Sequence, residues 1–445
     1  MFGLCSFLCG VAPDEGWLIL LRVVQGLGGG MLIPLGMAIA LQPFAMEDRA
    51  KANAIVGVPL LLGPVVGPII GGLMVDHLGW QSIFFVNVPV CAVAIALAWR
   101  ALPADRVGAA DRATGFDYPG LAFSTLGVSA VIYGVKLVTT TDPSTMSRLD
   151  PRGDIYGWGY WPVWALLGAG MALLAAFVVH AWRFGGEPML DLRQFKRRDF
   201  AVGALVLSLS GIVTFGVLFL VPVYLQQVRL PNLSALDAGL ALMPLGLGTL
   251  VGVVLGGGLY RRVGARSLAV VGAGLFAVSF WQLESLTPTT STGSLWSRLF
   301  LLGLGVTLTA VPAQTLALEA LSGAALNGAT SLLSVAKLLS GSVGSAAMVT
   351  VFIQRTTYHG EQLRAELPRR LPAGTAPNLA SPHVAAARQQ LAAQAGTSGL
   401  NDVFALLVYG ALALLVVSLL LPGRRSRHGQ EEQPDADVAT YPVAG

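Results

Sequence analysis

Gly57-Val58-Pro59-Leu60-Leu61-Leu62-Gly63-Pro64-Val65-Val66-Gly67-Pro68-Ile69-Ile70-Gly71-Gly72 runs without a charge, and glycine or proline fills half of its places. In water such a helix would not hold, because Gly is about 1 kcal/mol and Pro about 3 kcal/mol less favourable than Ala in a helix interior. Inside a bilayer, neighbouring helices re-satisfy the backbone groups that proline frees, so the stretch fits a transmembrane helix. Gly63, Gly67 and Gly71 recur at i, i+4, i+8 and define a face that another helix can approach closely. Pro64 and Pro68 each remove an amide donor and bend the axis. The expectation is a kinked membrane helix with one flat side; a plain small-residue packing face has the same spacing.

Composition places the rest of the chain in the same solvent. Hydrophobic residues are 54% and charged residues 12% of 445 positions, with a mean hydropathy of +0.68, which is more apolar surface than a soluble fold can hide. The fold class is therefore all-α, a polytopic membrane helical bundle. At roughly 20 apolar residues per crossing, spans are expected near 17–41, 53–75, 80–100, 117–137, 161–182, 200–224, 236–258, 267–285, 296–318, 326–353 and 402–421. Met1–Val11 is only half a span, and it lacks the positive start of a signal peptide.

The net charge of +4 resides in loops, with no basic run interleaved with stacking aromatics, so nucleic acid is not an expected partner. Alternate loops collect the basic residues, among them Arg49, Lys51, Arg106, Arg183, Arg262 and Arg425. The positive-inside rule then puts the C-terminus in the cytoplasm of a multi-pass protein of the inner or plasma membrane. Cys5, Cys9 and Cys91 lie in apolar stretches without nearby His or carboxylates, and read as small buried hydrophobes with no metal to bind. His77, His180 and His359 are scattered without metal-ligand spacing, so neither an enzyme nor a cofactor is expected.

Four stretches together carry a resemblance. Gly57–Gly72 resembles the antiporter signature of the fifth helix of the major facilitator superfamily, G-P-x-x-G-P/G-x-x-G-G. Arg22-Val23-Val24-Gln25-Gly26, continuing to Gly30, resembles the R-x-x-Q-G motif of the fourth helix, and Trp80–Pro89 the W-R-W-x-F-x-x-N-x-P start of the sixth, with Gln81 in place of Arg. Gly257–Arg266 resembles the G-x-L-x-D-R-x-G-x-R loop between the second and third helices of each half, with Arg261 where Asp is customary. The resemblance implies a fourteen-span drug:proton antiporter. Residues 1–101 would be the remainder of an N-terminal bundle, 102–198 two central linker helices, 199–422 a C-terminal six-helix bundle and 423–445 a disordered cytoplasmic tail. By the symmetry of that plan the first two and a half helices are lacking ahead of Met1. A native chain with a short first helix is the alternative.

Arg22 lies about five residues inside its span, where a charge costs roughly 2.5 to 3.5 kcal/mol if it is central. It shares a face with Gly26 and Gly30, with Gln25 beside it, and the resemblance associates it with proton coupling; snorkelling to the external interface is the other account. Lys337, in Ser334–Gly344, is too deep to snorkel easily and should face a cavity, where it could titrate, attract an anion or pair structurally. No Asp or Glu occupies the middle of any span; Asp76, Glu284 and Glu319 all sit at ends. Tyr224, Gln226 and Gln227, in a stretch resembling the family's P-x-Y-x-Q-x motif, would line an external mouth or stabilise the helix end. Phe215, Phe219, Met243 and Trp281 are further candidates to line a cavity, and Gly257, Arg262, Gly264 and Arg266 form the expected gating loop, in which Arg261 breaks the usual charge pairing.

The expected function is export of amphipathic drugs or dyes in exchange for protons by alternating access. The antiporter helix Gly57, Gly63, Pro64, Gly67, Pro68, Gly71 and Gly72 would seal the two bundles against each other. A transporter of a specific organic anion and a non-transporting truncated remnant are the rival readings. In a host with two membranes, some members of the branch work with a periplasmic adaptor. The 355–400 loop, expected to hold a short surface helix at 383–394, is the segment placed to touch one.

Overall fold

The computed structural model describes residues 1–41, 63, 66–101, 117–142, 155–183, 192–319, 321, 323–364 and 382–423. These fold into twelve helices: α1 (Phe2–Gly10), α2 (Glu15–Leu41), α3 (Val66–Leu78), α4 (Ser82–Phe85, continuing as Asn87–Ala101), α5 (Tyr118–Leu137), α6 (Trp161–Arg183), α7 (Arg198–Val223), α8 (Ala235–Val263), α9 (Ala265–Leu283), α10 (Thr292–Leu318), α11 (Gly323–Arg364) and α12 (Pro382–Leu419). Among the described residues, nine helical segments are long and apolar enough to cross a membrane. The chain is a multi-pass membrane helical bundle.

The first half packs through small residues. A Cβ at Gly3 would press on Cys91 and one at Gly10 on Phe85, so α1 lies directly against α4. The Ser6 hydroxyl donates to the Phe84 carbonyl at 2.9 Å and accepts from the Asn87 amide at 3.0 Å, which satisfies the polar groups of that crossing. α5 and α6 form a pair in which Gly127 and Gly170 meet backbone to backbone. The buried Asp117 carboxylate caps α5 through the Gly120 N–H at 2.8 Å and meets His180 of α6, also at 2.8 Å. Thr350 of α11 donates to the Val135 carbonyl at 3.3 Å and ties this pair to the second half.

Helices α7 to α12 share one core, with Phe276, Phe280, Phe404, Leu299 and Leu302 nearly inaccessible. Glycines set the crossings: Gly248 and Gly303 bring α8 and α10 to backbone contact, and Gly272 and Gly305 do the same for α9 and α10. In lipid no hydrophobic force pushes helices together, so this close van der Waals approach is what holds them. The bundle has two distinct ends. At the tail face, where α12 finishes, the Arg266 Nε donates to the Leu421 carbonyl at 2.6 Å. At the opposite face, Asn401 donates to the Leu286 carbonyl at 3.0 Å.

Two expectations change. The Gly257–Arg266 loop is mostly helix: α8 runs to Val263, α9 starts at Ala265, and Gly264 alone breaks the path with φ +86°. Only a residue without Cβ takes that conformation readily, so one glycine does the work of a longer turn. The 355–400 loop is also largely helical, since α11 continues to Arg364 and α12 begins at Pro382. Its Ala, Gln and Arg residues are strong helix formers, and proline at the first helical position suits its missing N–H. The two extensions are cross-braced: Asp402 accepts from His359 Nε2 at 2.9 Å with Arg355 Nε 3.6 Å away. Gly396 seats against Val228.

Candidate functional site

The contact between α3 and α8 joins the first half of the chain to the second. A Cβ on Gly72 would collide with the Ala235 backbone, and one on Gly239 with the Pro68 carbonyl, so both glycines are required by close approach. One turn past Gly72, the Asp76 carboxylate accepts two backbone N–H groups at the start of α8, from Ala235 at 3.0 Å and Leu236 at 2.7 Å. These are donors that a helix N-terminus leaves without intrahelical partners, and the carboxylate complements the positive end of the helix dipole. Asp76 stands one residue beyond the 53–75 span. The Leu236 N–H above all, then those of Ala235 and the Ser234 hydroxyl, hold its carboxyl below the ordinary range.

The contact face is therefore Pro68, Gly72 and Asp76, at i, i+4, i+8, and not the expected Gly63, Gly67 and Gly71, which have no close neighbour among the described residues. The register is set by the partner: Gly239 opens a slot opposite Pro68, and the free N–H groups of α8 lie opposite Asp76. Gly57 and Pro64 lie outside the described residues. Sequence reading placed Asp76 at a span end and missed it; the signal was its helical spacing from Pro68 and Gly72.

Arg22 and Gln25 are brought together as expected: Arg22 Nη1 donates to Gln25 Oε1 at 2.9 Å. The guanidinium also lies 5.8 Å over the Phe84 ring. Gln25 is buried, and its Nε2 has no partner among the described residues. Among the described residues the close helix contact on α2 is through Gly28 and Gly29, which Phe2 of α1 covers, while Gly26 and Gly30 meet no neighbour. Lys337 sits on α11 where its backbone crosses Gly211 of α7, and its ammonium has no hydrogen bond or ion pair among the described residues. Arg22 and Lys337 are not joined to each other.

Tyr224 is 1% exposed, and its hydroxyl donates to the Thr287 carbonyl at 2.8 Å, so it anchors the helix end and lines no mouth. Pro222 inside α7 cannot donate to the ladder, and the helix widens into a π turn at Tyr224–Val228. That turn leaves Gln226 half-buried and Gln227 exposed. Phe215 packs on Gly341, Met243 is half-buried, and Phe219 and Trp281 are exposed. In the expected gating segment Gly257 meets no neighbour among the described residues and Arg262 is exposed, while the Tyr260 hydroxyl donates to Glu319 Oε2 at 3.4 Å and Arg266 is tied to Leu421.

A family model described as Major Facilitator Superfamily matches residues 1–345. The Multidrug resistance protein B homolog of Mycobacterium tuberculosis is 33% identical over 356 residues, covering 78% of this chain and 61% of that protein. The Multidrug export protein EmrB of Escherichia coli is 29% identical over 365 residues, covering 81% and 67%. The Fatty acid resistance protein FarB of Neisseria gonorrhoeae is 31% identical over 361 residues, covering 80% and 67%. The chain thus spans 61% of the length of the first of these. Among solved structures, an auto inhibited POT family peptide transporter aligns with TM-score 0.56 at 13% identity, covering 97% of this chain and 83% of that one. A bacterial homolog of the human lysosomal transporter Spinster, inward-facing and unoccupied, aligns with TM-score 0.52 at 14% identity, covering 95% and 81%.

Proposed function

The chain belongs to the major facilitator superfamily, and we propose that it exports amphipathic drugs or other toxic small molecules in exchange for protons. The observation that carries this reading is the α3–α8 contact. Among the described residues it is made by a glycine fit and two exposed hydrogen bonds, and no residue of Val66–Leu78 belongs to the buried hydrophobic core, which suits an interface that opens and closes in each cycle. With the C-terminus in the cytoplasm, this seal faces outward, and the bundles of residues 1–101 and 199–422 rock about a site between them. Arg22 with Gln25 on one side and Lys337 on the other are the polar groups assigned to coupling. The names of the relatives, which speak of multidrug resistance, multidrug export and fatty acid resistance, support the substrate class.

A second reading, transport of a specific organic anion, is favoured by the unpaired Lys337 ammonium. The test is flux through the full chain reconstituted in liposomes under an imposed pH gradient. Efflux of a lipophilic cationic dye that collapses with the gradient supports the first reading. Saturable flux of an organic anion, indifferent to such dyes, replaces it with the second. Absence of both removes transport by this chain alone.

A further inference from the structure

We propose that the groove between the end of α9 and the start of α10 holds the headgroup of a zwitterionic phospholipid. The groove has a volume of about 570 Å³ and is lined by Trp281, Gln282, Glu284, Ser294, Ser297 and Arg298. Arg298 lies two turns inside α10, and its Nη1 is buried without a hydrogen-bond partner among the described residues. Arginine does not escape burial by deprotonating, and an unpaired buried donor is costly, so this guanidinium calls for an anion supplied from outside the chain. The α10 backbone that carries the guanidinium is tied to α9, because the Ser279 hydroxyl donates to the Arg298 main-chain carbonyl at 2.7 Å. Ser294 and Ser297 stand on the first turns of α10 and line the groove, which therefore lies beside the positive end of that helix. These groups match a phosphate.

The opposite pole is also present. Glu284 closes the C-terminal end of α9, is exposed, and forms no ion pair with Arg298. A carboxylate added to the negative end of a helix attracts a cation. One groove with separate anionic and cationic poles selects a molecule carrying both a phosphate and an ammonium. The depth is set by Trp281 and Trp296, 68% and 48% exposed, since tryptophans at helix ends sit at headgroup level. Towards the middle of the membrane from Trp281, Val278 and Val271 continue an exposed apolar stripe along α9 on which acyl chains can lie.

The test measures lipid binding to the purified full chain by native mass spectrometry and by thermal shift. It compares phosphatidylethanolamine, phosphatidylglycerol and soluble glycerophosphoethanolamine. Phosphatidylethanolamine should be retained in preference to phosphatidylglycerol. Arg298→Gln should weaken retention of both lipids roughly tenfold, the loss of a hydrogen bond to a charged group. Glu284→Gln, at an exposed side chain, should abolish the preference while leaving phosphatidylglycerol binding intact. Unchanged retention in Arg298→Gln, or a preference untouched by Glu284→Gln, overturns the proposal. Full stabilisation by glycerophosphoethanolamine alone would give the site to a soluble ligand and overturn the lipid assignment.

Discussion

The Asp76 carboxylate on α3 accepts the Leu236 backbone N–H of α8 at 2.7 Å, so an acidic side chain from one half of the chain caps a helix of the other. Replacing it with alanine should remove both hydrogen bonds without disturbing either helix. Spin labels at the exposed His77 and Asn232 should report a separated population enriched about two- to fivefold in Asp76→Ala. The pH dependence follows from the lowered carboxyl: the cap is complete above the ordinary value of 3.8 and fades as pH falls below it. The opposite trend would remove Asp76 as the cap.

Gly72→Ala should perturb the same contact and Gly71→Ala should not. The first places a methyl group against the Ala235 backbone, while the second has no close neighbour among the described residues. Overpacking of this kind costs about 1–3 kcal/mol. Hydrogen exchange at the start of α8 should accelerate in Gly72→Ala alone, with transport reduced alongside.

Lys337→Met should separate stability from function. Removing an unpaired charge from the membrane interior leaves the melting temperature unchanged or raised, whereas flux should fall about tenfold or more, as for an ionisable group on a transport path. Lys337→Arg should restore much of that flux. A melting temperature that drops in Lys337→Met would make the lysine structural.

Tyr224→Phe should behave the other way round. Loss of the buried hydroxyl that donates to Thr287 costs about 1 kcal/mol of stability. Substrate KM should not move, because the side chain is inside the core.

Much of the fold was legible. Hydropathy placed the described spans, and α8 and α9 met at the basic turn where the motif put them. Facing was harder, and Tyr224 shows why. Helices such as α7 are apolar on every side, so no amphipathic period says which residues turn inward. The Gly72 register was hidden for a related reason, since a small-residue face is chosen by the shape of its partner, and Gly239 is more than 160 positions away. Arg22 and Gln25 were readable because their bond is local, within one helical turn. Arg298 carries no signal in the sequence beyond its place near a span end, and only the folded chain shows its Nη1 buried in the groove.

Helix α11 is unbroken from Gly323 to Arg364, and it carries both Lys337 and, about six turns on, the His359 brace. At 1.5 Å per residue, Lys337 and Arg364 are roughly 40 Å apart on one rod. A rod has a single tilt. The helical ladder that positions Lys337 is thus continuous with the segment that the His359–Asp402 brace holds, so one element sets the place of both.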